Sequence, residues 1–239
     1  MTVSMAPARA IVLAAGRGER MRPLTDACPK PLLAVRGRPL IEWHLQALAA
    51  AGVREVVVNT DWLEEQFPAV LGDGSRFGLV IHYSMEGRDH GGALETAGGI
   101  AKALPWLAPR HDTAPFWVVS GDVFLPDFDF PAAAVDAMTA HPERLAELWM
   151  VPNAPHHPRG DYGIGPDGLA LLQAPQRYTW ASVGLFRAAM FSDIAPGTRM
   201  PLRPRLDAAI GARRLGARLW HGAWTDVGTP ERLAALNSG

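Results

Sequence analysis

The feature that most constrains the fold is a series of short, continuous apolar runs that alternate with helical patterns. The first run, Ala10–Ala15, is closed by Gly16, which is typical of a strand buried on both faces of a parallel sheet. Further strands are predicted at Val53–Asn59, Leu79–Ser84 and Phe116–Ser120. Helices are predicted between the strands, at Leu40–Ala51, Trp62–Leu71 and Glu95–Leu104. Strands that alternate with helices predict a mostly parallel α/β sheet with right-handed crossovers.

The pattern becomes less regular after Pro131. Strands are predicted there at Ala146–Val151, Asp161–Leu172, Arg177–Arg187 and Ala217–Val227. Helices are predicted at Leu206–Arg214 and Thr229–Leu236, the latter with Thr229 as N-cap and Pro230 in the first position. These strands need not be parallel to the others. We therefore predict a single α/β domain over residues 1–239, with a mixed, mostly parallel sheet and an irregular, partly antiparallel second half.

Composition excludes several classes of protein. A formal net charge of -1 argues against a nucleic-acid partner, which favours a strongly basic face. Cys28 is the only cysteine, so no internal disulfide can form, which suits a reducing compartment. The N-terminal stretch MTVSMAPARA is not expected to be a signal peptide, and no apolar run approaches the ~20 residues of a membrane span. We expect a cytoplasmic protein without a membrane partner. The sequence does not fix the oligomeric state, and a monomer is one of the options.

The stretch from Ile11 to Pro31, IVLAAGRGERMRPLTDACPKP, predicts a site for an anion. Its Gly16-x-Gly18 lacks the third glycine of a dinucleotide-binding loop, because Met21 stands there, and no Gly-Lys-Ser/Thr follows as in a P-loop. Glycines let backbone N–H groups approach an anion, and a cluster of basic side chains adds charge. The basic residues are Arg17, Arg20, Arg22 and Lys30. By itself, the loop fits either a polyphosphate or a solvated surface.

The longer string LAAGRGERMRPLTDACPKPLL decides between these two readings. It resembles the signature of sugar-1-phosphate nucleotidyltransferases, L-A-A-G-x-G-x-R-M-x-P-L-T-x-x-x-P-K-P-L. Within that family, the chain is most similar to short bacterial uridylyltransferases of cell-wall sugar recycling, which act on N-acetylmuramate α-1-phosphate. The resemblance extends along most of the chain, through VVVNTDWL (Val56–Leu63), LETAGGI (Leu94–Ile100), SGDV (Ser120–Val123), RGDY (Arg159–Tyr162) and WTDVGTPE (Trp224–Glu231).

The resemblance implies a fold, a reaction and a set of roles. The fold is a Rossmann-like, three-layer nucleotidyltransferase domain, with residues 9–130 binding the nucleotide and 131–239 the sugar. A sugar-1-phosphate oxygen attacks the α-phosphorus of an NTP and pyrophosphate leaves. Arg20 and Lys30 are the implied catalytic cations, and Asp122 and Asp226 the implied Mg²⁺ ligands. The implied nucleotide-binding residues are Leu13, Ala14, Ala15, Gly16, Gly18, Asn59, Thr96 and Gly98.

The sugar site has the weaker pattern. Glu95 and Asp161 match acidic positions on the sugar side, but the Glu-Lys pair that larger family members use for the sugar phosphate has no counterpart in LLQAPQR (Leu171–Arg177). The Gly87–Ala93 stretch predicts an enlarged loop before the helix that approaches the base. His156 and His157 are adjacent and have no third ligand at metal-binding spacing, so we expect a solvated loop there.

Three functions remain compatible with the sequence. The leading one is a Mg²⁺-dependent uridylyltransferase that joins UTP and N-acetylmuramic acid α-1-phosphate. The second keeps the reaction with other substrates, such as GTP and mannose 1-phosphate. The third is a silent sensor of nucleotide sugars on the same fold, although the presence of both implied cations and both aspartates argues against it.

Overall fold

The computed structural model describes residues 8–111 and 113–238; residues 1–7 of the N-terminal stretch lie outside them. The strands are β1 (Ala10–Leu13), β2 (Ala34–Val35), β3 (Arg38–Pro39), β4 (Glu55–Thr60), β5 (Val80–Met85), β6 (Phe116–Ser120), β7 (Val123–Phe124), β8 (Ala146–Val151), β9 (Gly163–Ile164), β10 (Ala170–Leu171), β11 (Thr179–Phe186), β12 (Leu215–Leu219) and β13 (Thr225–Asp226). The helices are α1 (Leu24–Ala27), α2 (Leu40–Ala50), α3 (Gln66–Leu71), α4 (Glu86–His90), α5 (Glu95–Leu107), α6 (Ala132–Thr139), α7 (Arg203–Gly211) and α8 (Pro230–Asn237).

Seven strands form the central sheet, in the order β12-β8-β11-β6-β1-β4-β5. Strand β1 lies between β4 and β6 and is parallel to both. Strand β11 is antiparallel to both of its neighbours, β6 and β8, and the other six strands run in one direction. The prediction of a mostly parallel sheet with a partly antiparallel second half is therefore confirmed.

The sheet is covered on both faces because its strands are apolar on both faces. Ala10 and Val12 of β1 contribute to one core, which contains buried residues of α2, α3 and α6. Ile11 belongs to the opposite core, which contains buried residues of α5 and α7. Alternate residues of a strand point to opposite faces, so the continuous run of β1 supplies both cores. The result is the three-layer architecture that the family resemblance implied.

Two predicted strands are wrong as continuous elements. Asp161–Leu172 forms the short hairpin β9–β10, because Gly168 adopts a left-handed φ of 74° and the Gly165 N–H donates to the Leu169 carbonyl. Ala217–Val227 divides into β12, at the edge of the central sheet, and β13, which pairs with β7 instead. Apolar composition predicted an extended chain in both places, but it did not show where the chain turns.

Two helices also depart from the prediction. The Gly87–Ala93 stretch is not an open loop throughout, because α4 occupies Glu86–His90 and ends at Gly91 with a left-handed φ of 74°. Helix α6, at Ala132–Thr139, was not predicted, since its run of alanines carries little periodic signal. Within the described chain, no helix has both the length and the apolar character needed to cross a bilayer.

The register of the central strands places three loops at one edge of the sheet. Leu13, the last residue of β1, lies opposite Asn59 of β4 and Ser120 of β6. Parallel strands end at the same edge, so the segments that follow these residues meet there. These are the glycine-rich loop after Leu13, the segment after Asn59 and the segment that contains Asp122.

Helix α2 is tied to this edge by a buried histidine. His44 is only 1% exposed, and its Nε2 lies 2.8 Å from the carbonyl oxygen of Val123 in β7. A neutral imidazole with its proton on Nε2 donates this hydrogen bond. Burial lowers the pKa of His44 from 6.5 to about 4, although the Val123 hydrogen bond and the charge of Asp122 oppose that shift.

We expect the free energy of unfolding to decrease as the pH falls from 6.5 to about 4, because the unfolded chain binds a proton that folded His44 does not. This one group contributes up to about 3 kcal/mol over the window. Urea unfolding measured across that pH range checks the slope. A His44→Gln variant keeps a donor for Val123 and should lose this contribution; an unchanged slope in the variant would contradict the assignment.

Candidate active site

A cavity of about 530 Å³ lies at the carboxyl edge of the central strands. It is bounded by the glycine-rich loop, the ends of β4 and β6, and the start of α5. This is where open α/β sheets bind ligands. Most of the predicted site residues line it, namely Leu13, Ala14, Ala15, Gly16, Gly18, Arg20, Lys30, Asn59, Glu95, Thr96 and Asp122. The structure thus brings together residues that are far apart in sequence.

The two glycines of the loop have different roles. Gly18 adopts a left-handed φ of 69°, and a methyl group there would lie 3.0 Å from Cγ2 of Thr25 and 3.3 Å from Cβ of Lys30. The Thr25 hydroxyl donates a hydrogen bond of 2.9 Å to the Gly18 carbonyl and closes the loop. A methyl group at Gly16 would meet nothing within 4 Å. Gly16 therefore leaves its backbone open to a ligand, while Gly18 allows the loop to turn.

The two predicted catalytic cations differ in burial and in whether they have a partner. Lys30 is buried, and its Nζ donates a 2.7 Å hydrogen bond to Oδ2 of Asp122. Arg20 is exposed, and within residues 8–111 and 113–238 its guanidinium has no ion-pair or hydrogen-bond partner. Neighbouring Arg17 is held by the Asp26 carboxylate and lies over the Trp62 ring. Arg20 is therefore available to an incoming anion.

Asp122 follows β6 and lies between two donors. Ser120 Oγ donates to its Oδ1 at 2.8 Å, and Lys30 donates to its Oδ2. Burial alone would raise the pKa of Asp122, but the charge of Lys30 and these hydrogen bonds outweigh it and hold the pKa below its ordinary 3.8. With 41% of its side chain exposed, the ionised carboxylate still faces the cavity.

Asp226, the second predicted metal ligand, lies just behind the cavity wall at Gly228. The Val227 N–H donates a 2.9 Å hydrogen bond to the Asp122 carbonyl, and this bond joins the two segments that contain the aspartates. A methyl group at Gly228 would lie 2.9 Å from Oδ2 of Asp226 and 3.6 Å from Nη2 of Arg20. The Arg232 guanidinium also bonds to Oδ2 of Asp226. The aspartate is thus next to the cavity without lining it.

His156 is exposed and lies in the loop that the sequence predicted to be solvated. Its Nε2 also lies 2.9 Å from Oδ1 of Asp226, a predicted functional carboxylate. The contact does not have hydrogen-bond geometry, and Oδ1 is buried with no hydrogen-bond partner among the described residues. His157 lies 3.4 Å from Oδ1 of Asp161. Sequence spacing gave no sign of the His156 contact, because Asp226 comes from a distant segment, whereas Asp161 is only four residues from His157.

Asp161, predicted on the sugar side, does not line this cavity. Its Oδ2 accepts a 2.9 Å hydrogen bond from the Trp180 backbone N–H, and Arg203 lies 3.4 Å from its Oδ1. These contacts hold the segment before β9 against β11. A role in sugar binding stays a prediction for Asp161.

The start of α5 brings one expected and one unexpected residue into the cavity. Glu95 has a left-handed φ of 62°, which is rare for a residue with a Cβ and is often found at functional sites. Its Oε1 accepts a 3.0 Å hydrogen bond from the guanidinium of Arg199, and the two side chains form an ion pair. Arg199 also lines the cavity. Gly98 lies outside the lining, because it packs against the Thr198–Met200 backbone; its nucleotide contact stays a prediction.

Sequence reasoning did not assign three further charged residues that line the cavity, namely Glu19, Asp61 and Arg199. Asp61 follows β4 within the matched VVVNTDWL string, and burial raises the pKa of its carboxyl. That string was a usable signal for Asp61. Arg199 comes from a loop after β11 that carries no motif. Within the described chain, no group of three or more His, Cys, Asp or Glu side chains could hold a metal by itself.

Comparison with known proteins shows which family the chain belongs to. The model of the family "Nucleotidyl transferase" matches residues 9–165, which include the glycine-rich loop, Lys30 and Asp122. An N-acetylmuramate α-1-phosphate uridylyltransferase of Neisseria meningitidis serogroup B is 47% identical over 227 residues, covering 94% of this chain and 95% of that protein. The chain belongs to the nucleotidyl transferase family.

Two further comparisons for this nucleotidyl transferase are with a relative in sequence and with a solved structure. A mannose-1-phosphate guanylyltransferase of Mycobacterium tuberculosis is 44% identical, but over 114 residues only, which cover 48% of this chain and 30% of that protein. A structure assigned as a glucose-1-phosphate thymidylyltransferase of Bacillus anthracis superposes with a TM-score of 0.80 at 20% identity, covering 96% of this chain and 94% of that one. The similarity to the Bacillus anthracis structure shows a shared fold.

Replacing Arg20 or Lys30 with alanine is expected to lower turnover by about 100-fold or more, the usual scale for a preorganised charge-stabilising group. Pyrophosphate release under saturating substrates measures this loss. Arg22→Ala is the matched control, because Arg22 pairs with Asp26 at 2.8 Å and does not line the cavity of this nucleotidyl transferase. Near-normal turnover in both cavity variants would overturn the two assignments.

Proposed function

We propose that this enzyme transfers a uridylyl group from UTP to N-acetylmuramic acid α-1-phosphate, giving a UDP-sugar and pyrophosphate in the recycling of cell-wall sugars. The observation that carries the proposal is the single cavity lined by Arg20, Lys30 and Asp122 beside an open glycine backbone. The relative that is 47% identical along nearly the whole chain has this activity in its name.

The reaction needs two polyanions to approach each other. An oxygen of the sugar phosphate forms a bond to the α-phosphorus, and the bond from that phosphorus to the bridging oxygen breaks. The electron pair leaves with pyrophosphate, so the reaction needs no covalent enzyme intermediate. Alignment and charge neutralisation are then the main tasks of the protein. Among the described residues, the Arg20 guanidinium is unpaired and open to phosphate oxygens, and Lys30 holds its ammonium in a fixed position.

The residues present fit a bound Mg²⁺. Asp122 and Asp226 supply hard carboxylate oxygens from adjoining segments, and Oδ1 of Asp226 is buried without a hydrogen-bond donor in the described part of the chain. Mg²⁺ takes one or two carboxylates, with water and substrate phosphates completing its shell. When bound, Mg²⁺ neutralises phosphate charge. These two aspartates would hold it, and Ser120 keeps the Asp122 carboxylate in place through Oδ1.

The choice of sugar is supported by the charge at the start of α5. N-acetylmuramic acid carries a lactyl carboxylate, which N-acetylglucosamine, glucose and mannose lack. The exposed guanidinium of Arg199 lies on the cavity wall, and among the described residues its one ion-pair partner is Glu95. A planar guanidinium is well suited to a second carboxylate. Residues 9–130 would bind the nucleotide and 131–239 the sugar, and Glu95 and Asp161 remain candidate sugar contacts.

Two alternatives are weaker. Mannose 1-phosphate with GTP would use the same phosphate chemistry, but the guanylyltransferases that match 93% of this chain are only 28% identical to it, against 47% for the uridylyltransferase. A silent sensor would not need the cations and carboxylates that meet in the cavity. We place the protein in the cytoplasm, where nucleoside triphosphates and the reduced Cys28 thiol are expected together.

Asp122→Asn is expected to abolish Mg²⁺-dependent pyrophosphate release, a loss of about 100-fold or more, while the fold is kept. Asparagine is isosteric but supplies one neutral oxygen and cannot balance the Lys30 charge. Rates measured against Mg²⁺ concentration, with circular dichroism as the test of folding, check this.

Asp127→Asn is the matched control for Asp122, because Asp127 is exposed near the same segment and does not line the cavity. It should leave the Mg²⁺ dependence unchanged. A folded Asp122→Asn enzyme that responds to Mg²⁺ as the wild type does would remove Asp122 from the metal site.

Crossing the four NTPs with the 1-phosphates of N-acetylmuramic acid, N-acetylglucosamine, glucose and mannose tests the substrate assignment. We expect UTP with N-acetylmuramic acid 1-phosphate to release pyrophosphate fastest. N-acetylmuramic acid and N-acetylglucosamine differ only in the lactyl group, so that pair isolates recognition of the carboxylate. A preference for GTP with mannose 1-phosphate would favour the alternative enzyme, and no release from any pair would favour the sensor.

A further inference from the structure

A buried carboxylate lies directly behind the cavity wall. Glu86, at the start of α4, is 0% exposed and does not line the cavity. Its Oε1 accepts a 2.8 Å hydrogen bond from Nδ2 of Asn59, and its Oε2 accepts a 2.7 Å hydrogen bond from the backbone N–H of Leu94. Burial raises the pKa of Glu86, and these two hydrogen bonds oppose that shift.

The two donors come from two different segments at the cavity, the end of β4 and the residue before α5. The Asn59 amide bonds at both ends, because its Oδ1 accepts a 2.9 Å hydrogen bond from the Ala14 N–H in the glycine-rich segment. Leu94 immediately precedes Glu95 and Thr96, which line the cavity at the start of α5. One carboxylate therefore joins the segment after β1 to the segment before α5. Nothing in the glycine-rich signature indicated this residue.

Helix α5 passes very close to the hydrogen-bonded pair of Glu86 and Asn59. A methyl group at Gly99 of α5 would lie 2.5 Å from Oε1 of Glu86 and 2.8 Å from Nδ2 of Asn59. Real Cβ contacts are not that short, so glycine is needed for the helix to pass the pair. Buried polar groups of this kind specify one arrangement when every member is satisfied.

We propose that Glu86 is a positioning residue for the nucleotide, which sets the distance between the Ala14 segment and the start of α5 through the Asn59 amide and the Leu94 N–H. This proposal rests on the proposed nucleotidyl transfer and adds a residue that touches neither substrate. A carboxylate matches two donors, whereas a glutamine in its place offers one acceptor and one donor. Position 86 therefore requires two hydrogen-bond acceptors, more than a side chain of a given size.

Exchanging the hydrogen-bond donor and acceptor between positions 59 and 86 tests the proposal. Glu86→Gln should lose one of the two hydrogen bonds and raise the KM for the NTP about tenfold, with little change in the KM for the sugar phosphate. Asn59→Asp should weaken NTP binding at least as much, because two carboxylates then face each other. In the double variant, the new carboxylate at position 59 accepts from the Ala14 N–H and from the new amide at position 86. The carbonyl oxygen of that amide accepts from the Leu94 N–H.

We expect the double variant to recover an NTP KM within about threefold of the wild type, a non-additive result that a double-mutant cycle quantifies. A merely structural role predicts parallel changes in both KM values and in kcat, and that pattern would overturn the proposal. A double variant no better than the poorer single variant would also overturn it.

Glu42→Gln is the matched control, since Glu42 is a buried carboxylate on α2 that pairs with Arg76 and does not line the cavity. It should lower the thermal midpoint without changing the NTP KM. Calorimetric titration of the preferred NTP measures binding independently of turnover. If the wild type releases no pyrophosphate, the proposed function fails, while the binding series still decides the role of Glu86.

Discussion

The ion pair between Lys30 and Asp122 is the contact on which the site depends. It joins side chains 92 positions apart, across a cavity that neither loop could form alone. The sheet order makes the contact possible, because β6 lies next to β1 and both loops leave the same edge. A largely buried ammonium is stable only with a hydrogen-bonded partner, so the pair also fixes the position of the lysine.

Charge around the cavity is balanced by specific pairs. Asp122 pairs with Lys30, Asp226 with Arg232, and Glu95 with Arg199. The Lys30 charge holds the pKa of the Asp122 carboxyl below its ordinary 3.8, against the effect of burial, and the pair keeps the lysine in position before any substrate arrives. A polyanionic substrate would compete with these carboxylates for the same cations. Such preorganisation suits a reaction whose main barrier is the repulsion between two phosphates.

The sequence predicted the fold well where buried strands alternate with helices, because an apolar run that supplies two cores has no polar face. It failed where apolar composition continued through a turn, as in Ala217–Val227, which divides between two sheets. Arg20, Lys30 and Asp122, which the signature and the SGDV string indicated, line one cavity, and their roles there stay predictions. The signature did not indicate Glu86 or Arg199, since neither belongs to a motif and each acts through a partner from another segment.

The sequence alone determined the mostly parallel sheet, the glycine-rich turn and the basic side chains beside it, because these depend on local backbone freedom and on apolar periodicity. Tertiary structure decided which carboxylate meets which cation, why His156 contacts Asp226, and how Glu86 links two walls of the cavity. Such contacts depend on strand order and register, which bring distant residues to within hydrogen-bond distance. No local pattern in the chain specifies those distances.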